Sequence, residues 1–214
     1  MKFNFEDFLK EQKKEKYWNN IEKILKIKRI VPKAEQIFNA FDDFDFNNLK
    51  LVILGQDPYP TNNNADGLCF STNNEKTPSS LKNIFIEIKN TYPNAKLDSN
   101  NLSNWKKQGV LLLNTILTTE ENKTLAHKNL GWEIFNINLL NKLLEGNKNI
   151  LFLAMGKDAS DFMKKINVNK ENIFETPHPS PLSCWRGFLG SNIFKKINEK
   201  LKNLNKTEID WSTN

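Results

Sequence analysis

Apolar residues along this chain come in two rhythms. Four short, nearly unbroken runs stand out: LKLVILG from Leu49, GVLLLNT from Gly109, NILFLAMG from Asn149 and the weaker NIFET from Asn172. Each has the length of a buried strand. Between and after them, apolar positions recur at helical spacing in SSLKNIFIEIKNTY from Ser79, GWEIFNINLLNKLLEG from Gly131, GKDASDFMKKI from Gly156 and GSNIFKKINEKLKNL from Gly190. Strands that alternate with helices predict parallel pairing under right-handed crossovers. The expected fold class is therefore α/β, three layers (α/β/α) around a central, mostly parallel four-stranded sheet.

Before the first run, Phe5, Phe8, Trp18, Ile21, Ile24 and Leu25 fall at roughly helical spacing among charges. One or two amphipathic helices over residues 1–30 should cover one side of the core. TNNNADG and STNNEKTPSS read as polar loops, and neither an internal repeat nor a Pro/Gly/Ser linker interrupts the chain. Residues 1–214 are expected to form one domain.

Composition narrows the partners. With 214 residues, 38% of them hydrophobic, and with 15 Phe and 5 Trp, the chain can bury a sizeable core. A formal charge of +6 favours a polyanionic partner, although a Lys- and Asn-rich composition yields the same charge without one. The two cysteines, Cys69 and Cys184, lie far apart with no C-x-x-C pair, too few ligands for a zinc site or an iron–sulfur cluster. They read as buried thiols of a reducing compartment. The N-terminus lacks the uninterrupted apolar core of a signal peptide, and no stretch reaches the length of a membrane span. A soluble, cytoplasmic monomer without metal or cofactor is the expectation.

Ligands of open α/β sheets bind outside the carboxyl ends of the strands, so the polar residues that follow the apolar runs are the first candidates. In order these are Gln56, Asp57 and Tyr59, then Asn114, then Gly156 and Lys157, then His178 at the head of HPSPLS. Each has a plainer reading. Asp57, between Gln56 and Pro58, can be an Asx-turn or a helix cap, Tyr59 can be packing, and Asn114 can be a turn former. His178 opens a segment stiffened by Pro179 and Pro181, from which Leu182 either projects as a wedge or tucks inward. His127, in LAHKNLGW, suits a structural hydrogen bond.

Taken together, GQDPYP, GLCFS, LLLNT and HPSPLS, in this order and at this spacing, resemble the uracil-DNA glycosylases of family 1. The resemblance runs from VPKAEQIFNAF at Val31 to IDW at Ile209. It implies an enzyme that flips uracil out of single- and double-stranded DNA and hydrolyses its N-glycosidic bond, leaving free uracil and an abasic site. Carried over residue by residue, Asp57 orients the attacking water and stabilises positive charge on the sugar. Tyr59 blocks the 5-methyl group of thymine, Phe70 stacks on the base, and Asn114 reads its N3–H and O4. Gln56 supplies backbone contacts to the base. His178, as a neutral imidazole, donates to uracil O2. Leu182 enters the space the base leaves, while Ser80, Gly156, Lys157, Ser180, Ser183 and Arg186 fall at DNA-binding positions. No metal or cofactor enters this chemistry.

The chain departs from the family pattern at Pro60, where many members have His. It departs again at Lys157 and Asp158, where others often carry a small residue and then an imidazole, and TPSS holds fewer prolines than usual. A protein of the same fold that binds uracil or DNA with little catalysis is the alternative, which the presence of Asp57 disfavours. A zinc nucleobase deaminase would need H-x-E and P-C-x-x-C, and both are absent. A DNA-mimicking inhibitor would be acidic, and this chain is basic.

Overall fold

A computed structural model describes residues 3–61 and 64–214. In chain order the elements are α1 (Phe5–Gln12), α2 (Trp18–Ile24), β1 (Ile30–Val31), β2 (Leu51–Gly55), α3 (Ser79–Thr91), α4 (Ser103–Lys107), β3 (Val110–Asn114) and β4 (Thr119–Glu120). There follow α5 (Trp132–Gly146), β5 (Leu151–Met155), α6 (Lys157–Met163), β6 (Ile173–Thr176) and α7 (Ile193–Asn203). All four apolar runs become strands of one sheet in the order β3-β2-β5-β6, and every neighbouring pair is parallel. The expected α/β class with its four-stranded sheet is what the chain forms.

Side chains alternate between the two faces of this sheet, and both faces are covered. Val52, Leu54, Leu111, Leu113, Phe152 and Ala154 pack with α1, α2, α5 and α6. Leu51, Ile53, Val110, Leu112, Leu151 and Leu153 pack with α3, α4 and α7. Burial on both faces is why the strands read as continuous apolar runs rather than as alternating ones. The N-terminal segment forms two helices, and Phe8, Trp18, Ile21 and Ile24 join the first of these cores.

Several boundaries differ from the sequence pattern. Gly131 and Gly156 precede their helices with φ of +127° and +96°, conformations that suit glycine, so α5 and α6 begin one residue later than the pattern suggests. The helix expected from Gly190 starts at Ile193. The intervening backbone is held by Glu87 of α3, a buried carboxylate that accepts from Gly190 N–H (2.6 Å), Asn192 N–H (2.7 Å) and the Ser191 hydroxyl (3.2 Å). The short α4 and the two-residue antiparallel ladder between β1 and β4 have no periodic signature. Among the described residues no helix is long and apolar enough to cross a membrane.

Candidate active site

Parallel strands end on one side, and the polar residues that follow them meet there. Gly55 and Asn114 are register partners at the ends of β2 and β3, while Met155 and Thr176 pair at the ends of β5 and β6. The backbone carries on across the gap, with Thr115 N–H donating to Gly55 O and Ile116 N–H to Gln56 O, each at 3.0 Å. The Thr115 hydroxyl adds a second bond to Gln56 O at 2.9 Å.

Asn114 is buried, and its amide lies directly against Gly55. A Cβ on residue 55 would come within 2.4 Å of Asn114 Oδ1 and 2.8 Å of Cys69 Cβ, so glycine is required there for room. From α5, buried Asn136 donates to both Asn114 O and Thr115 O at 3.0 Å, fixing the backbone from which the amide projects. An amide offers a donor and an acceptor together, which suits a pyrimidine edge.

Asp57 lies in the loop stiffened by Pro58 and Pro60, and its Oδ2 accepts the Leu125 N–H at 2.6 Å. Burial raises its pKa above the usual carboxylate range, the Leu125 bond opposes that shift, and the negative charge of Asp158 adds to it. Leu125, with φ +58°, sits in the loop 121–130, which is pinned from within. Trp132 Nε1–H donates to Thr118 Oγ1 at 2.6 Å, and Thr118 Oγ1 lies 2.8 Å from His127 Nδ1. His127 thus takes part in a structural hydrogen bond, as its sequence context suggested.

Tyr59 donates its hydroxyl to Phe70 O at 3.1 Å, and burial pushes the phenol pKa up, keeping it protonated. Phe70 has φ +63°, unusual for an aromatic residue. The turn that imposes it is held by Asp66, which accepts from Leu68 N–H (3.1 Å) and the Ser71 hydroxyl (2.6 Å). The Phe70 ring lies 5.9 Å from the His178 ring, tilted by 45°.

His178 accepts at Nδ1 from Ser180 N–H at 3.1 Å. A ring nitrogen that accepts carries no proton, so the imidazole is neutral and its proton is on Nε2. Burial acts in the same direction by lowering its pKa, while Asp158 opposes it. Gly156 packs beneath it, where a Cβ would stand 2.9 Å from His178 Cβ.

The rim carries the remaining predicted residues. Ser183 donates to His178 O at 2.8 Å and its hydroxyl lies 3.0 Å from that of Ser180. Asn83 of α3 donates to Pro179 O at 2.8 Å, which brings the N-terminal turn of α3, with Ser80, beside this loop. Leu182 projects outward, 82% exposed, so it is not tucked into the core. Lys157 and Arg186 are exposed as well. Sequence reasoning passed over Trp185, 68% exposed and capped by the Arg186 guanidinium 4.9 Å from its ring. A tryptophan three residues after an outward Leu is the signal that could have drawn notice. Leu125 and Asn136 carried no such signal.

A carboxyl group, an imidazole, an amide and an aromatic ring thus share one sheet edge. Residues 41–202 match the model of the uracil DNA glycosylase superfamily. The chain belongs to that superfamily. A uracil-DNA glycosylase of Mycoplasmopsis pulmonis is 48% identical over 97% of this chain and 96% of its own length. One from Mesomycoplasma hyopneumoniae is 41% identical over 99% and 98% respectively. The crystal structure of the mimivirus uracil-DNA glycosylase superposes with a TM-score of 0.87 at 28% identity, covering 99% of this chain and 90% of that one. The likeness therefore spans the helices and the sheet as well as the four motifs.

Proposed function

We propose that this protein hydrolyses the N-glycosidic bond of uracil in DNA, releasing free uracil and leaving an abasic site. The observation that carries the reading is the hydrogen bond from Ser180 N–H to His178 Nδ1. With Nδ1 occupied by a backbone donor, Nε2–H is the hydrogen that faces a ligand, ready for an oxygen that gains charge.

As the bond from N1 to the deoxyribose C1′ breaks, the electron pair leaves with the base and positive charge develops on the sugar. The Asp57 carboxylate stabilises that charge and orients the water that attacks C1′. His178 Nε2–H stabilises negative charge on uracil O2. Asn114 reads N3–H and O4, Phe70 stacks on the base, and Tyr59 occupies the space a 5-methyl group would need. Leu182, with Trp185 beside it, enters the duplex where the base was. Ser80, Gly156, Lys157, Ser180, Ser183 and Arg186 contact the flanking backbone. The protein works as a cytoplasmic monomer on single- and double-stranded DNA.

Incubation with uracil-containing DNA in the presence of chelator is the test. Free uracil and alkali-labile sites are expected, and intact DNA after prolonged incubation would refute the reading.

A further inference from the structure

We propose that Asn83 is a positioning residue for His178: through the Pro179–Ser180 peptide it fixes the backbone N–H that occupies His178 Nδ1, and so keeps Nε2 as the nitrogen that donates. The proposal rests on the uracil-excision reading for its kinetic consequence alone.

One peptide group carries both contacts. Asn83 Nδ2–H donates to Pro179 O at 2.8 Å, and Ser180 N–H donates to His178 Nδ1 at 3.1 Å. The carbonyl of Pro179 and the N–H of Ser180 belong to the same planar unit, and in a trans peptide they point in opposite directions. Turning that plane disturbs the two bonds together. They also reinforce one another, since a carbonyl that accepts a hydrogen bond polarises its peptide and makes the N–H a better donor.

The neighbouring carbonyls are taken up within the turn. His178 O accepts the Ser183 hydroxyl at 2.8 Å, and Ser180 O accepts the N–H groups of Ser183 and Cys184 at 3.0 and 2.9 Å. Such bonds move with the turn and do not fix it to the rest of the molecule. Pro179 O is tied instead to α3, a helix seated in the core by Leu81, Ile84 and Ile88 together with Cys184 and Phe188 of the segment it holds. Four residues after Asn83, Glu87 holds the far end of that segment at Gly190 and Asn192, so one face of α3 grips both ends. Asparagine is a poor helix former, and this grip accounts for its half-buried place inside α3.

Asn83 supplies no charge. Asp158 of α6 is the charged group that bears on His178, while Phe70 and Gly156, which pack against the imidazole, carry none. Asn83→Leu keeps a side chain of similar size, removes the donor and leaves those charges as they are. A change at the ring then reports the peptide.

The chain has only two histidines, so the His178 ring nitrogens can be followed by 15N NMR through a pH titration, with no DNA present. The wild type should show a protonated Nε2 and a bare Nδ1. In Asn83→Leu the tautomer protonated at Nδ1 should become populated. The midpoint should rise by about half a pH unit, because the bond to Nδ1 favours the neutral ring. Single-turnover excision should slow about fivefold on single- and double-stranded DNA alike. It should slow no further when Asn83→Leu is added to His178→Ala, whereas the full loss should persist beside Leu182→Ala. Asn83→Ala repeats the test where leucine disturbs the packing of α3. Ring signals and midpoint unchanged in the folded variants, or the same loss with and without His178, would overturn the proposal. Failure of the wild type to release uracil would count against the functional reading instead, because the titration needs no activity.

Discussion

Asp57 is held in a state that costs stability. Its pKa is raised in the fold, so the fold favours the protonated carboxyl. The stability it contributes is complete below the unfolded carboxylate value and is lost as pH rises through the folded one. At neutral pH an ionised Asp57 therefore burdens the fold. Asp57→Asn keeps an acceptor for Leu125 N–H while removing the charge, so it should raise the melting temperature at pH 7. Single-turnover excision should fall by on the order of a hundredfold or more, with DNA affinity preserved. A calorimetric scan and a single-turnover assay check the two halves, and excision near the wild-type rate would remove Asp57 from its role. His178 behaves oppositely: its lowered pKa makes its contribution full above the unfolded value and lost as pH falls through the folded one. Excision should accordingly decline on the acid side, where both groups take up protons. If Tyr59 is the proposed steric gate, Tyr59→Ala should release thymine from DNA, and continued refusal of thymine would contradict that role.

Among the elements, the strand ends were legible in the sequence because each apolar run gives way to glycine or polar residues. Asp57, Asn114 and His178 announce themselves in that way. The groups that hold them do not. Asn136 occupies a position of α5 that reads as any polar helix residue, yet it is buried against the end of β3. Glu87 reads as a solvent-facing charge on α3, yet it is buried against the turn before α7. Leu125 contributes only its N–H, which side-chain chemistry cannot reveal. Tertiary pairing of loops with distant elements leaves no period to read. Glu87→Ala would remove the acceptor of the Gly190, Ser191 and Asn192 donors and should destabilise the fold by about 2 kcal/mol, visible as a lower denaturant midpoint. Unchanged stability would show that water replaces the carboxylate at no cost.

For the whole molecule, the formal charge of +6 becomes meaningful once the rim is in place. Leu182 and Trp185 are exposed, the latter beneath the Arg186 guanidinium, and Lys157 is exposed as well. Such a surface suits a duplex whose stack is opened while its phosphates are held. Leu182→Ala should therefore slow excision from duplex more than from single strands, since unstacking costs a few kcal/mol mainly in the duplex. Equal losses on both substrates would leave Leu182 without a wedge role. Affinity should fall steeply with added salt as phosphate contacts are screened.

The most direct test of the central claim is a crystal structure of Asp57→Asn bound to a uracil-containing duplex. The account predicts one extruded uracil stacked on Phe70, its N3–H and O4 on the Asn114 amide and its O2 on His178 Nε2, with residue 57 facing C1′. DNA seated on another face, or a uracil left paired within the duplex at this edge, would contradict it.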